Sequence, residues 1–221
     1  MEIKFQYPLN KYKYLLMFDL ASKVSGICLW DLQANKPIET AVIKVANNAE
    51  LSIADLDEKI NEYFQQLQDK GYSLQDILVS KEMAPLQAGK FTTAQTLIAL
   101  GKAHAVLDLY CYKNSIDVFD YVGVSPSTTH AYFRGLLNID KKQPITKEDI
   151  RDYIYSEYDI RDIILDESDA VFLAKTFIDI YWNRQIDERI KEVKRHRKTL
   201  KADHAIKACD AEIERLRLLK L

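Results

Sequence analysis

Three short apolar runs fall ahead of the first stretch with helical spacing, and this order constrains the fold more than any other feature of the chain. Tyr14 to Asp19 (YLLMFD) has strand length and ends on a carboxylate. Ala21 to Ser25 is small and polar, as a turn requires, and Gly26 to Leu32 (GICLWDL) reads as the returning strand. Ala41 to Val45 (AVIKV) supplies a third, so the chain opens as an antiparallel meander. Helix and strand then alternate. Leu51, Ile53, Leu56, Ile60, Tyr63, Phe64 and Leu67 lie at helical spacing within Ala49 to Lys70, and Gly71 follows as a stop. Asp76 to Glu82 (DILVSKE) is a fourth strand, again ending on an acid. Thr92 to Tyr112 is an apolar helix of little charge, and Val118 to Val122 is a fifth strand.

Helices complete the chain. Ser125-Pro126 opens a short one, since proline is favoured in the first turn. Thr146 with Asp149 forms a capping-box pattern ahead of a second, ending near Tyr155, and Ser168 to Asn183 is a third. Ile186 to Leu221 is amphipathic and helical, with a break near Ala202-Asp203. The order β-β-β-α-β-α-β-α-α-α predicts an α/β fold: a mixed five-stranded sheet flanked by helices, with a C-terminal helical extension. The expected division is a domain over 1–183 and a basic extension over 184–221.

The formal charge of −2 conceals an asymmetry. Arg184 to Leu221 carries 12 basic and 7 acidic residues, and the remainder carries 19 basic and 26 acidic. An acidic body with a basic tail suits a carboxylate site with a phosphate-binding arm; a solvated charged helix is the plainer alternative. Cys28, Cys111 and Cys209 are far apart and form no CxxC pair, so neither a zinc site nor a disulfide framework is expected. A reducing cytoplasm is the natural compartment, and no apolar run is long enough for a membrane span.

Acids stand where chemistry would want them. Asp19 ends the first strand and Glu82 the fourth, while Asp166 and Asp169 share one face at a helix start in LDESDAVFLA. Singly, each has a structural explanation: a turn cap, a surface acid, a first-turn acid favoured by the helix dipole. Glu167, off the shared face, is assigned to capping. Jointly those explanations fail, because helix capping does not account for acids ending two strands. Hard oxygen donors without His or Cys select Mg²⁺ or Mn²⁺, and two such ions suit phosphodiester hydrolysis.

The run FDLASKVSGICLWD resembles the first two strands of RuvC-type Holliday junction resolvases of the RNase H-like superfamily. SKEMAPLQAG followed by TLIALGKAHAVL resembles their second motif, DESDAVFLA their last, and SPSTTHAYFRG the proline-containing segment between. The likeness spans Tyr14 to Asn183 and is greatest to phage-encoded members of the type found in lactococcal bacteriophages. It implies a homodimeric endonuclease acting on branched DNA, with Asp19, Glu82, Asp166 and Asp169 as catalytic metal ligands for Mg²⁺, Mn²⁺ substituting. His130 stands where many members carry a lysine, and Lys141 or Lys142 is a candidate for a second family lysine. Leu86 or Phe91 is the candidate aromatic or apolar wedge, beside Lys90.

The residues expected to contact DNA are Lys90, Phe91, His130, Arg134, Lys141 and Lys142 in the body, with Lys194, Arg195, Arg197 and Lys198 in the tail. Leu97, Leu100, Ala103, Val106 and Leu107 are candidates for a dimer face. Other readings remain open: an RNase H acting on RNA–DNA hybrids, and a branched-DNA binder without catalysis. A sugar kinase or actin-like ATPase ranks lowest, because six glycines in one domain leave little for phosphate loops.

Overall fold

The computed structural model describes residues 11–21, 23–45, 52–84, 93–119, 123–140 and 143–220. Contacts divide it into two compact units, Tyr12–Thr176 and one containing Phe177–Leu221. The first holds a five-stranded sheet in the order β3-β2-β1-β4-β5. Its strands are β1 (Tyr14–Asp19), β2 (Val24–Asp31), β3 (Lys36–Lys44), β4 (Ile77–Lys81) and β5 (Asp117–Val118). The helices of this unit are α1 (Ser52–Asp69), α2 (Ala94–Lys113), α3 (Pro126–Leu136), α4 (Lys147–Tyr158) and α5 (Leu165–Thr176). β1 to β3 are antiparallel, whereas β4 joins β1, and β5 joins β4, in parallel. The expected mixed sheet is therefore present.

Period-two alternation sorts the strand residues onto two faces. Leu16 and Phe18 of β1, Ile27 and Leu29 of β2, and Ile77 and Val79 of β4 share a core with Leu56, Ile60 and Phe64 of α1 and Leu107 and Cys111 of α2. The intervening Leu15, Met17, Cys28, Trp30 and Leu78 are equally buried, on the opposite face. There α5 lies against β1 and β2, and α3 and α4 pack on α5. Phe133 of α3 meets Phe172 of α5 and Tyr153 of α4 edge-on, with ring centroids 4.0 and 5.5 Å apart.

β2 begins at Val24, two residues ahead of the expected Gly26, and β3 and β5 differ more. β3 begins at Lys36, ahead of the expected Ala41, because pairing with β2 carries it through Pro37, Glu39 and Thr40. Proline is tolerated at a sheet edge, where its missing N–H faces no partner. β5 keeps only Asp117–Val118 of the expected run, and 120–122 lie outside the described residues. The capping box of α4 is present: Thr146 Oγ1 accepts from the Asp149 amide at 3.1 Å, and Asp149 accepts from the Thr146 amide at 2.8 Å.

The apolar residues of α2 considered for a dimer face divide between the core and the surface. Ala103 and Leu107 belong to the core, and Leu97, Leu100 and Val106 are half-buried. The exposed apolar side chains of that helix are Ile98, Leu109 and Tyr112. All three cysteines are buried and free, and no described helix is long and apolar enough to cross a membrane.

In the second unit the tail forms two helices, α6 (Asn183–Arg197) and α7 (Asp203–Leu218), which pack together. The expected break at Ala202-Asp203 is where α7 begins. A π-helical stretch, Phe177–Trp182, precedes α6.

Gly26 decides how closely α5 approaches the sheet. A Cβ there would lie 2.0 Å from the Asp166 carbonyl oxygen and 3.3 Å from Ala170 Cβ. Gly26→Ala should cost about 3 kcal/mol, the upper end for overpacking, since the obstacle is backbone. Gly135→Ala in α3, where a Cβ meets nothing within 4 Å, should instead gain up to about 1 kcal/mol from helix propensity. Urea unfolding of both variants checks the pair, and equal effects would contradict the close approach.

Candidate active site

The site grows out of the pairing of β1. Asp19, its last residue, lies opposite Gly26 of β2. On the other side β4 runs parallel, with Phe18 beside Lys81. The Glu82 amide then donates to the Phe18 carbonyl at 2.9 Å, so Glu82 leaves the strand next to Asp19. Alternation aims Asp19 and Glu82 at the face covered by α5, and Lys81 at the face covered by α2, where it pairs with Asp108. The backbone beyond Glu82 is held by Val124, whose amide donates to the Lys81 carbonyl at 2.7 Å and whose carbonyl accepts from Met83 at 2.8 Å. Gly123 makes this possible: its φ is +89°, and a Cβ would lie 2.5 Å from the Lys81 oxygen.

α5 supplies the other two acids in its first turn and just beyond. Its start is held by Glu167, which accepts from the Ile164 amide at 3.2 Å, the capping role expected for it. Ser168 Oγ adds a bond to the Leu165 carbonyl at 2.6 Å. Asp166 and Asp169 do face one spot: both carboxylates contact Lys147 Nζ, at 3.3 and 2.7 Å. Lys147 is the first residue of α4, and the Thr146 cap immediately before it fixes its direction. The sequence reading sought a second basic residue at Lys141 or Lys142, which lie outside the described residues, and passed over Lys147. The Thr146 cap was the available signal.

The electrostatics tie the four acids together. Burial pushes Asp19 up to about 6, with Asp169 and then Asp166 adding repulsion and Lys147 opposing it. Burial also pushes Glu82 up to about 8, reinforced by Asp19 and Asp169 and by its hydrogen bond to Asp19. The two titrate as a pair in which Glu82 keeps the proton and donates it to the Asp19 carboxylate. Asp169 is raised as well, by burial first and Asp166 second, against the pull of Lys147 and His130. Burial alone would lower the Lys147 ammonium, but its bonds to Asp169 and Asp166 hold it above the ordinary lysine range.

This set has the hard-oxygen chemistry that Mg²⁺ or Mn²⁺ prefers, with surplus negative charge held in a partly buried place. Among the described residues, however, no three His, Cys, Asp or Glu side chains stand grouped as a ready metal site. Lys147 bridges Asp166 and Asp169, and Asp19 and Glu82 are joined to each other.

Of the other predicted site residues, His130 is exposed on α3 and close enough to Asp169 to act on it electrostatically. Arg134 is engaged in structure: its guanidinium donates to the Asp140 and Gln143 carbonyls at 2.8 and 2.5 Å, bracing the connection to α4. Leu86, Lys90 and Phe91 lie outside the described residues.

Two carboxyls raised on folding bind more protons in the native than in the unfolded chain between about pH 4 and pH 8. Stability of the metal-free protein should therefore be fullest below pH 4 as far as this pair contributes, and that contribution should be lost as pH rises through about 6 and about 8. Glu82→Gln should flatten this dependence and raise the melting temperature at pH 8. Thermal melts in chelator across that range check it; a parallel fall in wild type and variant would refute the coupling.

No protein-family model matches the chain, and no curated protein matches it in sequence. Solved structures do. Thermus thermophilus RuvC in complex with a Holliday junction substrate matches at 12% identity and a TM-score of 0.55, over 79% of this chain and 97% of that one. The Thermus thermophilus RuvC structure matches at 12% identity and a TM-score of 0.54, over 78% and 96%. At such identities the likeness speaks for the fold, and with the sheet order and flanking helices it shows that this chain has the RuvC-like, RNase H-like fold.

Proposed function

We propose that the chain is a divalent-metal-dependent endonuclease that resolves Holliday junctions and related branched DNA, in recombination or the processing of phage DNA. The observation that carries this reading is the gathering of four acids from β1, the end of β4 and α5 as two pairs, Asp19 with Glu82 and Asp166 with Asp169 about Lys147, close enough to raise one another's protonation. A structural role gives no reason to gather so many mutually repelling groups. The fold is also that of a RuvC solved on a Holliday junction substrate.

Asp19, Glu82, Asp166 and Asp169 would hold Mg²⁺ or Mn²⁺. When bound, such an ion supplies Lewis acidity at the phosphodiester and eases deprotonation of water. The protein's own residues do the rest. Asp166 and Asp169 present oxygens from a capped helix start. Lys147, half-exposed beside them, brings a positive charge to the place where a phosphate would lie. Asp19, ionised at neutral pH, accepts the hydrogen bond of Glu82, and His130 adds an exposed polar group near Asp169. The three buried, free thiols suit a reducing cytoplasm.

Cutting two strands symmetrically calls for two sites related by a two-fold axis, and hence a homodimer. Ile98, Leu109 and Tyr112, at 59%, 51% and 76% exposure on one side of α2, are the apolar surface proposed to pair.

Asp19→Asn, Glu82→Gln and Asp169→Asn should each reduce cleavage of a synthetic four-way junction in Mg²⁺ to background. Binding should persist or tighten, since a negative charge is removed. Mg²⁺ should also raise the melting temperature of the wild type, and more at pH 8 than at pH 5, but not that of Asp169→Asn. A plain duplex and an RNA–DNA hybrid in the same assay test substrate class, and preferential cutting of the hybrid would overturn the resolvase reading. Ile98→Lys with Leu109→Lys should yield monomers by sedimentation at micromolar concentration; an unchanged dimer would place the interface elsewhere.

A further inference from the structure

The charges of the tail are sorted by the way its helices pack. Ile186, Ile190 and Val193 of α6 are buried, as are Cys209, Ile213 and Leu216 of α7, and at helical spacing each set forms one stripe. The stripes give the helix pair an apolar seam. Arg197 closes it with a forked bond to Asp210, at 2.5 and 3.1 Å. Lys220 bonds Asp187 at 2.8 Å, and Trp182 Nε1 donates to the Leu219 carbonyl at 3.1 Å. Arg197, expected from the sequence to touch DNA, is thus a clamp within the hairpin.

Other cations are engaged at short range on their own helices: Lys191 with Glu188, Arg189 with Glu192, Arg215 with Glu212, and Arg217 with Glu214. What remains on α6 is not scattered. Arg184 and Arg195, with Lys198 at the C-cap, recur at helical intervals on the side away from the seam, all exposed, over about 21 Å. Their common face has a further sign: Glu188, held below its usual range first by its bond to Lys191, is also lowered by Arg184 and Arg195. Lys194 flanks the stripe. The outer face of α7 is different in kind, with Lys207 beside Asp210, Ala211, Glu214 and Leu218.

We propose that the outer face of α6, with Arg184, Arg195 and Lys198, is a second DNA-binding surface that lies along the phosphate backbone of a duplex arm. It takes double-stranded DNA without regard to sequence, because it offers point charges and guanidinium groups and no array that could read bases. Charge complementarity commits it to a polyanion. The rest of the chain carries 19 basic against 26 acidic residues and would by itself repel DNA, so the excess of 12 over 7 in the tail supplies the attraction. This inference rests on the reading of the chain as a nuclease of branched DNA, but it can fail alone.

The test is the salt dependence of binding, measured in chelator with a four-way junction and with a plain duplex. Arg195→Gln with Lys198→Gln should flatten the slope of log affinity against log salt by about 1.8, at about 0.9 per phosphate contact. Each single variant should give about half of that. A charge-matched control on α7, Arg215→Gln with Arg217→Gln, should change the slope by less than half as much. Circular dichroism and the melting temperature should stay as in the wild type. An α6 variant that keeps the wild-type slope, or a control that flattens it equally, overturns the surface. So does a loss confined to double-stranded RNA or to vesicles of anionic lipid. Normal cleavage with an unaltered slope removes the arm and leaves the nuclease; altered binding by a protein that never cuts removes the nuclease and leaves the arm.

Discussion

The two unlike edges of β1 are the constraint from which the site follows. One edge takes β2 antiparallel and so brings Gly26 level with Asp19; the other takes β4 in parallel and so delivers Glu82 to the same end. Only a strand with this mixed pairing can have a hairpin neighbour and a crossover neighbour together. Alternation then aims both acids at the face where α5 lies. The absent side chain of Gly26 sets the depth at which α5 rests, and with it the position of Asp166. A register slip of one residue would turn Asp19 into the core and Phe18 into the site.

The assembled acids are unfavourable by construction. Three are raised by burial before repulsion is counted, and the arrangement is tolerated through a shared proton and one ammonium. Lys147 contacts Asp166 and Asp169 while half-exposed, so its attraction is screened and its release on meeting a stronger cation or a phosphate carries a small penalty. The surroundings are rigid instead: a capping box at α4, a capped α5, and the Val124 bridge behind Glu82. Electrostatic repulsion is concentrated in the acids, and the sheet with the helices packed on its two faces holds them in place.

The tail obeys a different balance. Its surface ion pairs are exposed, and pairs of that kind contribute little to stability. The apolar seam between α6 and α7 holds the hairpin, and the pairs decide which cations stay available. Neutralising some charges locally leaves others concentrated on one face, which net charge alone could not reveal.

Much of this was legible along the chain because its causes are local. Strand alternation, the Thr146–Asp149 capping box, the break before α7 and the common face of Asp166 and Asp169 each follow from residues a few positions apart. The acids ending the first and fourth strands could be suspected as a set, since nothing local explained them together. What sequence could not show depends on contacts between distant segments. The full length of β3 arises from pairing with β2 and runs against its own Pro37, Glu39 and Thr40. Lys147 belongs to the site because α4 starts beside α5. Arg134 and Arg197 carry the charge of DNA contacts, but carbonyls and a carboxylate brought close by the fold hold them in place. The apolar residues of α2 divide into core and surface according to what packs on them, so Leu107 went inward and Leu109 outward. Hydrogen-bonding periodicity and capping act over a few residues and are written in the sequence; burial and charge pairing are properties of neighbours in space, and the neighbours exist only once the chain has folded.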